Sequence, residues 1–247
     1  MNILVCISKA PDTTAKIAFT DNNTKFATEG VQWIINPYDE WYALTKAIEM
    51  KEKENSIQII LVTVGAADTE PIIRKALALG GDEAVRINAA DFDSYQVASY
   101  ISNIARERNC ELILTGKETI DHNNASVGGM IASLLDYPFV SLATKMTNEG
   151  PIFTLNREIE GGEETVKANL PLVVSCQKGM AEARIPNMRG IMAARTKPLN
   201  IVEPAVIERF TEVVSFETPP TKAGVKLIPP DNMDELVRLL HEESKVI

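Results

Sequence analysis

The sequence predicts a doubly wound α/β fold with a mostly parallel sheet, and three observations predict it. Segments of strand type alternate with segments of helical periodicity as far as Pro138. The run Ile57 to Val64 is apolar at every position but Gln58 and Thr63, as expected of a strand covered on both faces. The strand-like Glu111 to Thr115 breaks at Gly116 into a polar, aperiodic stretch, Lys117 to Asn124, and a helix follows. Such alternation implies right-handed crossovers.

Each element has its local reason. Ile3 to Ile7 is an apolar strand. Lys16 to Ala27 forms a hairpin with Asp21-Asn22-Asn23 as its turn. Asn36 caps a helix that has Pro37 at its first position, where the missing N–H costs nothing. That helix runs through Trp41, Leu44, Ala47 and Ile48 to about Lys53. Gly65 ends the strand Ile57 to Val64. Thr69 to Leu79 is a second helix closed by Gly80-Gly81. Ala84 to Ile87 is a third strand and Ser94 to Arg108 a third helix. From Ala125, the apolar residues Val127, Met130, Ile131, Leu134 and Leu135 fall at helical spacing, and Asp136 and Pro138 stop that helix.

After Pro138 the character changes. Val140 to Met146, Ile152 to Ile159 and Thr165 to Ala168 are strand-like, separated by turns at Gly150-Pro151 and Gly161-Gly162. Leu172 to Cys176 is a further buried strand. These are additions to the sheet rather than new βαβ units. From Gln177 the chain is loop-like, and from Ile201 to Pro230 it shows prolines and no clear periodicity. Asp231 caps a terminal helix carrying Leu236, Val237, Leu239 and Leu240. A tail of this composition is either a linker or an arm that wraps a partner. The expected organisation is a domain over 1–198 and an arm over 199–247.

Composition excludes several classes. A net charge of −9 argues against nucleic acid as a partner. No apolar run approaches the roughly 18 residues of a membrane span, so direct membrane insertion is not expected. The opening MNILVCIS reads as a core strand, without the charged start of a secretory signal. Cys6, Cys110 and Cys176 are odd in number and widely spaced, which reads as reduced thiols in a cytoplasmic compartment. His122 and His241 are the two histidines, and no cluster has metal-ligand spacing, so no metal site is expected. No pairing of groups suggests a catalytic acid, base or nucleophile.

Ligands of doubly wound sheets bind beyond the carboxyl ends of the strands, where strand order reverses. With an order 3-2-1-4 the crevice lies between the first and fourth strands. Its walls are then Cys6 to Lys9, Val64 to Ala66 and Gly116 to Gly129, with Asn36 to Asp39 closing one side. Ser126, Gly128 and Gly129 occupy the first turn of the helix there. Small residues leave its backbone N–H groups open to an anion such as phosphate. The stretch is neither a Walker loop nor a GxGxxG fingerprint.

Eight segments, in order, resemble the small (beta) subunit of electron transfer flavoprotein over nearly the whole chain. They are NPYDEWYAL from Asn36, VTVG from Val62, ALALGGDEAVRI from Ala76, LTGKETIDHNNASVGGM from Leu114, REIEGGEETV from Arg157, LPLVVS from Leu170, EARIPNMRGIMAARTKP from Glu182 and PPTKAGVKL from Pro219. The resemblance implies a Rossmann-like domain that binds an adenine nucleotide, with a C-terminal arm embracing a larger alpha subunit. That subunit holds most of the redox FAD. The pair carries electrons from acyl-CoA or related dehydrogenases to a quinone reductase or another acceptor, as in fatty acid oxidation, so the chain is a carrier subunit rather than an enzyme.

Carried over by position, the nucleotide contacts are Cys6, Asn36, Pro37, Tyr38, Asp39, Val64, Gly116, Thr119, Asp121, His122, Asn123, Asn124, Ala125, Ser126, Val127 and Gly128. The side chain of Cys6 itself reads as a small buried hydrophobe, Asp39 as a first-turn helix carboxylate and His122 as a solvent-facing loop residue. Relatives that hold structural AMP usually carry Asn-Gln-Thr-Gly where this chain has Ala125-Ser126-Val127-Gly128. Those that hold a second, electron-bifurcating FAD and use NADH often carry Ala-x-Val-Gly there, and often NPYD. Arg157 to Thr165 and the AGVK tail resemble the AMP-binding members, and AMP is the expected ligand, FAD the alternative. A stand-alone nucleotide-binding module is a further reading. The segment near 182–198 matches the family's recognition loop for electron donors. Ile185, Met188, Arg189 and Ile191 are its expected contacts, and Met188 stands where an apolar residue inserts into the donor. Arg184, Arg189 and Arg195 add electrostatic steering.

Overall fold

The computed structural model describes residues 1–247 except Tyr38 and Ala223. Its strands are β1 (Asn2–Cys6), β2 (Lys9–Pro11), β3 (Phe19–Thr20), β4 (Lys25–Phe26), β5 (Trp33–Ile35), β6 (Gln58–Val64), β7 (Glu83–Ile87), β8 (Cys110–Gly116), β9 (Phe139–Glu149), β10 (Ile152–Ile159), β11 (Gly162–Asn169), β12 (Leu172–Cys176) and β13 (Leu199–Val202). The helices are α1 (Asp39–Lys53), α2 (Glu70–Leu79), α3 (Ser94–Glu107), α4 (Val127–Leu135), α5 (Met188–Ala194) and α6 (Met233–Arg238).

Among the described residues the main sheet runs β11-β10-β9-β12-β8-β1-β6-β7-β13. From β9 through β13 its neighbours are parallel; β9, β10 and β11 form an antiparallel meander at one edge. Alternate residues of each strand point to opposite faces. Ile3 and Val5 join one core with α1 and α2, whereas Leu4 and Cys6 join another with α3 and α4. The fold is therefore a doubly wound, Rossmann-like α/β sheet. The chain builds β1, β6 and β7 outward, returns to β8 and then continues to β12. Strand order thus reverses between β1 and β8, as the 3-2-1-4 expectation required.

Several local expectations change. Among the described residues, the Asn36 side chain bonds to the loop after β8 rather than to the start of a helix. It is fully buried; its Nδ2 donates to the Glu118 carbonyl at 2.9 Å and its Oδ1 accepts from Ile120 N at 3.0 Å. Two long-range hydrogen bonds tie the buried Asn36 side chain to the loop after β8, satisfying its polar atoms. Leu199–Val202 pairs with β7 as the edge strand of the sheet, so the sheet extends past Pro198. At the chain's end, Asn232 rather than Asp231 is the N-cap position, and α6 continues into a wider turn over Leu239–Glu243.

Candidate functional site

The carboxyl ends of β1, β6 and β8 open onto a cavity of about 670 Å³ at the point where strand order reverses. Its floor is Cys6 and Ile7 from β1 and the residues after it, with Val62 and Val64 from β6. One side is apolar, with Phe92, Val97 and Ile101 from α3 and the loop before it. The opposite side is the β8 loop and the start of α4, from Thr115 to Gly128.

The β8 loop is shaped by its backbone. Asn123 and Ala125 adopt φ of 51° and 49°, in the left-handed region. Ala rarely sits there; such strain costs roughly 1–3 kcal/mol and persists only where the surroundings enforce it. The turn delivers the chain abruptly into α4. Ser126 is the N-cap position but makes no side-chain cap hydrogen bond, so the first N–H groups of α4 lack that partner. Gly128 packs closely beneath: a Cβ there would meet Thr115 Oγ1 at 3.0 Å and the Phe139 ring at 3.2 Å. The arrangement joins an apolar slot to a cluster of donor groups.

Charge around the cavity is organised in pairs. Glu40 is buried between β1 and β8, with its oxygens 2.6 Å from Ser8 N and Ser8 Oγ. Burial pushes its pKa up to about 8, against the pull of those hydrogen bonds. Lys9 pairs with Asp68 at 2.5 Å and Lys117 with Glu118 at 3.1 Å. Burial pushes the Asp39 carboxyl up, opposed by the nearby Lys117 ammonium. Burial likewise drives the Cys6 thiol far above its ordinary range, disfavouring the thiolate. Asp93 Oδ1 caps α3 by accepting from Gln96 N, whose side chain bonds back to Asp93 N, a reciprocal pair worth about 1 kcal/mol or more. Among the described residues, no group of three or more His, Cys, Asp and Glu is placed to hold a metal ion.

Of the residues expected at the site, Cys6, Val64, Gly116, Thr119, Asp121, His122, Asn124, Ala125, Ser126, Val127 and Gly128 line this cavity. Asn36, Pro37, Asp39 and Asn123 are not on its wall. Asn36 braces the β8 loop, and Asp39 backs onto Gly116, where a Cβ would lie 3.1 Å from its own. Tyr38 lies outside the described residues. Sequence reasoning missed Glu40, Phe92, Asp93 and a stretch of the tail, Arg209 with Thr211 to Val213, all of which line the cavity. Asp93 followed by Gln96 carries a readable capping signature; nothing in the tail's composition marks Arg209.

The 182–198 segment forms a second candidate surface. Asn187 caps α5 by accepting from Gly190 N at 2.8 Å, and Gly190 backs so closely onto the Ala78 carbonyl of α2 that a side chain would collide with it. Arg184 holds Glu52 through two hydrogen bonds of 2.6 and 2.9 Å, and its carbonyl accepts from Trp41 Nε1. Arg74 bonds the carbonyls of Ala194 and Lys197 at the other end. On this fixed base Ile185 is 89% exposed and Met188 73%, beside the exposed Arg189 and Ile191.

Fold and crevice together define the class: an open α/β sheet with a cavity at its switch point and a C-terminal segment turned back onto it. The chain belongs to the electron transfer flavoprotein family. The electron transfer flavoprotein domain matches residues 23–207. Among curated relatives, the electron transfer flavoprotein subunit beta of Bacillus subtilis (strain 168) is 37% identical over 261 residues, spanning both chains completely. That of Syntrophomonas wolfei is 34% identical over 229 residues, covering 92% of this chain and 90% of the relative. The human subunit beta is 31% identical over 256 residues, covering 100% of this chain and 99% of its own. Among the described residues, no helix is long and apolar enough to cross a membrane.

Proposed function

We propose that this chain is the beta subunit of a heterodimeric electron carrier, that its cavity holds AMP, and that a larger alpha subunit holds most of the FAD. The observation that carries the reading is the cavity of about 670 Å³ between β1 and β8, apolar toward α3 and amide-rich at the start of α4. An apolar slot suits a base and free helix N–H groups suit a phosphate. The redox chemistry belongs to the flavin, and this chain's part is to bind, orient and shield. Ile185, Met188, Arg189 and Ile191 form the face that meets the electron donor, an acyl-CoA or related dehydrogenase. A quinone reductase or another acceptor takes the electrons onward, in the cytoplasm.

A second reading places FAD in this cavity, in a bifurcating assembly that uses NADH. The sequence Ala125-Ser126-Val127-Gly128 favours it. Denaturing the purified heterodimer and separating the released cofactors decides between them. One FAD and one AMP per heterodimer supports the first reading; two FAD and no AMP overturns it in favour of the second. A chain that purifies alone with nucleotide bound would instead be a free-standing binding module.

A further inference from the structure

The last strand of the sheet, β13, leaves the chain at the edge farthest from the meander, yet the chain then turns back to the cavity. Gln96 Nε2 donates to the Ile207 carbonyl at 2.9 Å. The Arg209 guanidinium pairs with Asp91 at 2.6 Å, and Phe210 packs edge-on against Tyr95 with ring centroids 4.9 Å apart. Farther on, Phe216 stacks on Phe19 at 5.0 Å, and its N–H donates to the Asn23 carbonyl at 2.7 Å. Between these anchors, Arg209 and Thr211 to Val213 lie on the cavity wall.

The central fastening is one buried carboxylate. Asp93 is 8% exposed; its Oδ1 caps α3 through Gln96 N at 2.8 Å. Its Oδ2 accepts from Phe210 N at 2.7 Å and from Thr211 N at 3.0 Å. A single side chain on the cavity wall thus holds both the start of α3 and the strap that crosses to it.

We infer that residues 203–216 are a wall of the nucleotide site and that Asp93 is the positioning residue that holds this wall in place. The inference rests on the reading that the cavity binds a nucleotide. Ligand and strap are then coupled reciprocally: a ligand touching the strap tightens it, and an anchored strap slows the ligand's departure. The strap continues into the exposed apolar residues of the tail, Val225, Leu227 and Val237. A partner that grips this tail therefore acts on nucleotide retention without touching the nucleotide.

The test uses the full chain with AMP as the probe, measuring affinity by calorimetry and cleavage of the strap by limited proteolysis. Thr211→Pro deletes one strap donor without altering α3, and Phe210→Ala removes the Tyr95 contact off the cavity wall. In the wild type, AMP should slow cleavage within 203–216 by tenfold or more. Thr211→Pro and Phe210→Ala should weaken AMP by roughly tenfold, the loss of one charge-assisted hydrogen bond or its packing equivalent. Wild-type affinity in both weakened variants, with cleavage unaffected by AMP, overturns the inference and leaves the nucleotide reading standing. A wild type that binds neither AMP nor FAD overturns both.

Discussion

Glu40 and Ser8 clasp one another across the base of the cavity: Glu40 Oε2 accepts from Ser8 N and Oε1 lies 2.6 Å from Ser8 Oγ. The contact ties α1 to the end of β1. Gly116, at the end of β8, completes it, because a Cβ there would stand 2.9 Å from Glu40 Cγ. Three elements converge on one buried acid.

That acid gives stability a pH dependence. Its folded pKa, about 8, lies above its ordinary 4.5, so the protonated form favours the fold. Its stabilising contribution is full below pH 4.5 and lost as pH rises through 8. Glu40→Gln, which is neutral throughout, should flatten the pH profile of thermal unfolding in that window and melt higher than the wild type above it. Melting followed by circular dichroism checks this; an unchanged profile would show that Glu40 ionises at its ordinary value.

Charge or bulk at the start of α4 should block the ligand. Ser126→Asp places a carboxylate where the phosphate is proposed to bind, and Gly128→Leu fills a position already within 3.0 Å of Thr115 for a Cβ alone. Both should abolish AMP binding; for the Asp variant the cost is several kcal/mol, as for unpaired buried charge. Chromatography of the nucleotide released from each variant reads the result; AMP retained by Ser126→Asp places the phosphate elsewhere.

The length of the tail divides its two roles. A chain ending at Pro198 loses β13 and every strap anchor, and should melt well below the full chain. A chain ending at Phe216 keeps both and should melt nearly as the full chain does, yet fail to hold the alpha subunit, since it lacks Val225, Leu227 and α6. Co-purification with the alpha subunit and a thermal melt of each truncation separate these outcomes.

Met188 is 73% exposed, so it does not pack beneath its own loop. A flexible thioether in such a position adapts to the pocket it enters. Met188→Ala should slow reduction by the donor dehydrogenase by roughly one to two powers of ten, as truncating an interface anchor does. Flavin content and melting temperature should stay as in the wild type. Stopped-flow reduction at the wild-type rate would remove Met188 from the donor surface.

The elements most legible in the sequence were those whose periodicity and punctuation agree. The strand Ile57 to Val64 and the Gly80-Gly81 stop followed from such local agreement, and the switch between β1 and β8 from the topology rule for doubly wound sheets. What stayed hidden was fixed by partners distant in sequence. Asn36 sits before a helix with Pro37 behind it, a strong local cap pattern, yet its side chain is claimed by Glu118 and Ile120. Leu199–Val202 has strand character but is short, and only its pairing with β7 makes it part of the sheet. The strap was the least legible piece. It holds its place through backbone N–H groups on Asp93, and donors of that kind look alike in every sequence.

The placement of the strap also sets an order of assembly during synthesis. Strand β1, strand β6 and the start of α4 leave the ribosome well before Arg209 to Val213. At roughly 5–20 residues per second, Val213 follows Gly128 by roughly 4 to 17 seconds. For that interval the strap is missing from the wall it completes in the finished chain. On the proposed reading, the nucleotide site therefore gains its last wall only as the tail emerges.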